Sequence, residues 1–159
     1  MEKNINKLSL SAVCDGEIIS IEDVDDLLFS EKIIGDGYAI LPTSGEIYSP
    51  VDGQINEVAA TKHAYYISLE DDNKILIHVG EDTLLLNGEG FTVNVNNGKN
   101  IKKGDLLGTI DLDFMKKKNN KVVISTIFLF NSNNHIEVTT YTEKNAKANE
   151  TLACDIEFK

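Results

Sequence analysis

Apolar residues along this chain fall in short runs, often β-branched and often alternating with polar ones. Strands are therefore predicted over residues 17–21, 38–41, 46–49, 53–58, 64–69, 74–79, 91–95, 106–110, 121–127, 135–138 and 154–158. Between them stand turn signals such as Pro50-Val51-Asp52-Gly53, Glu70-Asp71-Asp72-Asn73 and Asn96-Asn97-Gly98. Helix is scarce, with one turn expected over 23–29 and another over 112–118. Many short strands joined by Gly and Asn turns predict an all-β fold, an antiparallel sandwich or barrel-like structure, rather than a parallel sheet. Residues 139–151 are polar and rich in Lys, Asn and Glu, and read as a surface loop. Residues 116–118 are a short basic run on a solvated loop. No long linker divides the chain, so residues 1–159 are expected to form one domain.

Composition narrows the partners. Hydrophobic residues make up 42% and charged residues 26%, the balance of a soluble globular protein. No apolar run approaches the roughly 18 residues of a membrane helix, and residues 1–10 do not read as a signal peptide, so a cytoplasmic location is expected. Net charge is −11 and the chain contains no arginine. Nucleic acid is thereby excluded as a partner, because backbone binding needs clustered cations. The bidentate phosphate clamp of Arg is also missing. A basic protein partner fits the acidity best. Cys14 and Cys154 lie near opposite ends in apolar surroundings and are expected to be two buried thiols.

The three histidines are the candidate chemistry. His135 begins a late strand beside Asn133 and Asn134 and reads as a surface residue. His63 and His78 bracket a strand–turn–strand segment, which is most simply an antiparallel hairpin. With an even loop, His78 lies opposite His63 or opposite Tyr65. Either register puts both imidazoles on one face, with Tyr65, Ile67, Leu69 and Leu76; a one-residue slip would separate them. Burial and mutual repulsion keep such rings neutral, and a neutral imidazole has a lone pair for phosphorus or a metal. A strand histidine can equally be a partly buried structural residue. Zinc at His63 and His78 is a third option, but a full site needs about four ligands, and no third His or Cys is placed to help.

These residues resemble the glucose-type family of IIA domains of the bacterial sugar phosphotransferase system. The likeness runs over about residues 11–127. It is carried by Gly35-Asp36-Gly37 after the 23–29 segment, Ser49-Pro50-Val51-Asp52-Gly53, Thr61-Lys62-His63-Ala64, Leu76-Ile77-His78-Val79-Gly80-Glu81-Asp82-Thr83, Leu86-Asn87-Gly88-Glu89-Gly90-Phe91 and Lys103-Gly104-Asp105. Both histidine motifs in order, followed by Leu-x-Gly-Glu-Gly-Phe, are the specific part. Val13, Asp25 and Lys121 stand where the family often has proline.

The resemblance implies a β-sandwich phosphocarrier that takes a phosphoryl group from the carrier protein HPr and passes it to a cysteine of a IIB domain. It implies His78 as the acceptor nucleophile, His63 as the residue that stabilises the phosphoryl group, and Thr61 as the residue that orients His63. It further implies Asp26 and Asp82 as contacts for cations on the partners, and Phe29, Ile34, Leu76 and Leu84 as an apolar docking surface. No cofactor is required. Two rival readings are a regulatory binding module that uses the same histidine face, with or without zinc, and a lipoyl- or biotinyl-type carrier. The carrier would need a lysine on a tight hairpin, for which Phe114-Met115-Lys116 is a poor imitation.

Overall fold

The computed structural model describes residues 6–80, 88–118 and 122–159. Fourteen strands are formed among them. β1 (Lys7–Ser11) and β2 (Gly16–Ser20) lead through a 3-10 turn at Ile21–Asp23 into the one-turn helix α1 (Leu27–Ser30). β3 (Gly35–Pro42), β4 (Glu46–Tyr48), β5 (Gly53–Val58), β6 (Ala64–Ser68) and β7 (Lys74–Val79) follow. Then come β8 (Phe91–Val93), β9 (Asn100–Ile101), β10 (Leu106–Ile110) and the short helix α2 (Leu112–Lys117). β11 (Ile124–Leu129), β12 (Ile136–Thr140), β13 (Glu143–Ala146) and β14 (Leu152–Phe158) complete the described chain. All the strand pairs are antiparallel.

One eight-stranded sheet runs β13-β2-β3-β11-β7-β6-β5-β9, and two three-stranded sheets run β1-β14-β12 and β4-β10-β8. The large sheet has two differently covered faces, and β7 shows why. Its alternating side chains Ile75, Ile77 and Val79 enter the main core, together with Leu10, Ile47, Leu107 and Ile156 from the small sheets. Leu76 points the other way, into a second apolar layer with Phe29, Ala39, Ala64 and Ile127. The segment between β2 and β3 covers that second layer with Ile21, Val24 and Phe29. The central strand β11 is buried on both faces, Ser125 and Thr126 included.

The all-β antiparallel expectation holds; α2 falls where a turn is expected, and α1 overlaps only the end of the expected 23–29 turn. Cys14 and Cys154 are free and buried, and burial pushes both thiols up, to about 11 and about 12. Two expectations are corrected, the loop at 139–151 and the loop at 116–118, whose Lys116 and Lys117 lie in the last turn of helix α2. Residues 139–151 are not one loop: β12 extends to Thr140, and β13 pairs at the sheet edge with β2. Residues 7–11 form β1, paired with β14 at the other end of the chain. Lys116 lies on helix α2 and not on a hairpin tip, so the lipoyl-type presentation is absent. Among the described residues no helix is long and apolar enough to cross a membrane.

Candidate active site

The expected pairing of the two histidines is reached by a different route. In the β6–β7 hairpin His78 pairs with Ala64, not with His63 or Tyr65. The connection between the strands is residues 69–73, an odd count, and Asp71 and Asp72 both take left-handed backbone conformations (φ 60° and 61°). The even-loop premise therefore fails, and Tyr65 and Ile67 lie in the main core, away from His78. His63 is nevertheless beside His78 because it is not in the strand. It belongs to the 59–63 connection between β5 and β6.

That connection is a tight reversal. The Lys62 N–H donates to the Ala59 carbonyl at 2.7 Å, and the Ala59 N–H to the Ala64 carbonyl at 2.9 Å. Lys62 adopts φ 64°, which breaks the pleat just before His63. The His63 carbonyl still accepts from the Val79 N–H at 2.7 Å, so the loop is anchored to β7 next to His78. The two imidazole centroids are 5.1 Å apart with planes at 88°. Both rings are half-buried, neither walled off nor fully in solvent.

Each ring has a support that fixes its chemistry. Thr61 Oγ1 is hydrogen-bonded to His63 Nδ1. If the hydroxyl donates there, the ring proton resides on Nε2. Phe29 packs edge-on against His78, with centroids 5.1 Å apart and planes at 68°. Burial lowers the pKa of His63. Burial, reinforced by the neighbouring His63, holds His78 down at about 4, against an upward pull from Asp26 and a backbone hydrogen bond to Gly80. The Gly80 bond favours the protonated ring, so the ring donates to the carbonyl, and the other nitrogen keeps its lone pair at neutral pH.

The remaining predicted residues divide. Asp26 caps α1, its Oδ1 accepting from the Leu28 N–H at 2.9 Å, and acts on His78 through its charge. Phe29 and Leu76, expected on a docking surface, are only 4% and 3% exposed and form the floor beneath the histidines. Ile34 is half-buried. Asp82 and Leu84 lie outside the described residues. The apolar side chains that α1 and its flanks present to solvent are instead Leu27 (67% exposed), Leu28 (49%) and Ile33 (58%). Ile33, Ile34, Tyr66, Leu76, Leu129 and Phe130 line an apolar groove of ≈ 390 Å³. Residues 27–29 are three successive apolar positions on a single turn, which cannot all face one core. That signal in the sequence could have identified the exposed pair.

A larger hollow of ≈ 740 Å³ lies at the other end of the β6–β7 hairpin, lined by Val51, Ser68, Leu69 and Phe158 among others. It contains neither histidine. Among the described residues no group of three or more His, Cys, Asp or Glu is placed to hold a metal, so a zinc ion at the two histidines would need ligands from a partner.

Comparison with known proteins gives the family and the fold. Residues 8–135 match the family described as phosphoenolpyruvate-dependent sugar phosphotransferase system, EIIA 1. The chain is 40% identical to the PTS system glucose-specific EIIA component of Oceanobacillus iheyensis, covering 96% of this chain and 88% of that protein. It is 44% identical over 113 residues to the glucosamine-specific EIICBA component of Bacillus subtilis, covering 71% of this chain and 18% of that one. Glucose permease IIA from Mycoplasma capricolum superposes with a TM-score of 0.84 at 33% identity, covering 98% and 99% of the two chains. A half-buried histidine facing a second, hydroxyl-tethered histidine on this fold, together with a family match over most of the chain, makes this protein a member of the EIIA 1 family of the phosphoenolpyruvate-dependent sugar phosphotransferase system.

Proposed function

We propose that the protein accepts a phosphoryl group from phospho-HPr on His78 and hands it to a cysteine of a EIIB domain. The observation that carries this reading is the pairing of His78, held neutral by burial, with His63 at 5.1 Å between ring centroids. The free lone pair of His78 attacks phosphorus. An N–P bond forms as the N–P bond of the donor histidine breaks, and that electron pair returns to the donor ring. The cysteine thiolate reverses the process, forming S–P and releasing His78.

Phosphoryl transfer passes through a loose, charge-spread transition state, so the protein's task is positioning and charge stabilisation. Without arginine, the donors are side chains such as His63. Thr61 donating into His63 Nδ1 leaves Nε2–H to face the phosphoryl oxygens. The apolar surround of Phe29, Leu76 and Ala64 excludes water and slows hydrolysis of the phosphohistidine. The exposed Leu27, Leu28 and Ile33 supply contact area for docking, and the net charge of −11 draws a basic partner. The glucose-specific names of the relatives favour a glucose-type system, and the EIICBA relative favours a EIIB partner.

The test is transfer to EIIB in a reconstituted chain with labelled phosphoenolpyruvate. Wild type relays label to EIIB. His78→Ala takes up none, and His63→Ala becomes labelled but relays poorly. Relay at the wild-type rate by His78→Ala would overturn the proposal.

A further inference from the structure

The residues that cross the large sheet at the level of His78 are small. Ala39 on β3 pairs with Ser125 on β11, Ser125 pairs with His78 on β7, and His78 pairs with Ala64 on β6. Directly opposed residues of an antiparallel pair point to the same face. The Ser125 side chain therefore rises beside the His78 imidazole, in the layer that holds Phe29, Ala39, Ala64, Leu76 and Ile127. These side chains are all apolar. Ser125 is 1% exposed.

A serine hydroxyl has one proton to donate. The phosphohistidine state supplies a partner. A phosphoryl group brings acceptor oxygens, and the chain has no arginine to meet them. Thr61 is already engaged with His63. Opposed Cβ atoms in such a pair lie about 4.5–5.5 Å apart, a gap that a serine hydroxyl and a phosphorylated imidazole together can span.

Resting on the phosphocarrier reading above, we infer that Ser125 is a third polar member of the phosphoryl site, its hydroxyl donating a hydrogen bond to an oxygen of the phosphoryl group on His78. The hydroxyl keeps its proton, and no bond to Ser125 forms. The small neighbours Ala39 and Ala64 leave the space in which this contact is made.

The equilibrium constant for phosphoryl exchange with phospho-HPr, read by intact mass, tests the inference. Three variants separate hydroxyl from volume: S125A removes the hydroxyl alone, S125T keeps it and adds a methyl group, and S125V is the size of Thr without it. S125A and S125V are expected to shift the equilibrium about tenfold toward phospho-HPr, the scale of one hydrogen bond to a charged group. S125T is expected to stay within about threefold of wild type. An S125A equal to wild type would overturn the inference. So would a loss in S125T and S125V alone, which is the signature of a space requirement. Phosphate recovered on Ser125 itself would also overturn it. Wild-type protein that takes nothing from phospho-HPr would refute the phosphocarrier reading and this inference with it, whatever the variants do.

Discussion

Acid should weaken this fold through its own nucleophile. In the unfolded chain His78 titrates near 6.5, whereas in the folded protein burial and His63 hold it at about 4. Above pH 6.5 both states are neutral at this ring, and it contributes no pH dependence. Below 6.5 the unfolded chain binds a proton that the folded protein refuses, so stability falls with falling pH. The loss is complete once pH drops below about 4, where the folded ring is protonated as well. At about 1.4 kcal/mol per tenfold change in proton affinity, the gap from 6.5 to about 4 corresponds to about 3 kcal/mol. His78→Gln removes the titration and isolates the effect. Urea unfolding of both proteins at intervals from pH 7.5 to 3.5 measures it. The variant should gain on wild type by about 3 kcal/mol across that window, while the difference stays flat above pH 6.5. A difference that is constant with pH, or one that grows toward alkaline pH, would refute the reasoning.

Other consequences follow from named contacts. Thr61→Ala frees the His63 ring and should slow phosphoryl relay about tenfold, with Thr61→Ser restoring most of it, as stopped-flow transfer assays would report. Asp72 sits at φ 61°, so Asp72→Gly should raise stability by about 0.5–1 kcal/mol in urea unfolding. Asp155 accepts from Ser9 and Tyr141 and pairs with Lys7, tying β1 to β14. Those partners lower its pKa. Asp155→Asn should therefore lower stability by about 1 kcal/mol at pH 7, with the deficit shrinking as pH falls through the carboxylate range. Leu27→Asp with Ile33→Asp should weaken binding to EIIB in titration calorimetry while leaving the thermal midpoint within a few degrees.

The strand pattern was legible because each central strand buries at least one face. β5 and β7 appear at their read boundaries, and the alternation in Lys74–Val79 is the alternation between two core layers. The missed strands carry weak local signals. Lys7–Ser11 finds its partner at the far end of the chain. Glu143–Ala146 is a polar edge strand with three exposed residues out of four. β9 is two residues long. The register of the β6–β7 hairpin was also beyond the pattern. Asp71 and Asp72 both adopt left-handed conformations, which Asp tolerates, within a five-residue loop whose length the pattern does not fix. The two histidines still meet because Lys62 breaks the strand just before His63. Composition gives no cue to a left-handed lysine. Of the docking residues, Phe29 and Leu76 read equally as core or as docking surface in the sequence, and the cover from the β2–β3 connection, a long-range feature, decides for the core.

Where the phosphoryl group resides is the question closest to the account's centre. Peptide mapping at alkaline pH, after incubation with phospho-HPr, should find a single acid-labile phosphoryl group on the peptide containing His78 and none on that containing His63. A group on His63, on a hydroxyl residue, or on no residue at all would contradict the claim that the buried neutral imidazole is the acceptor.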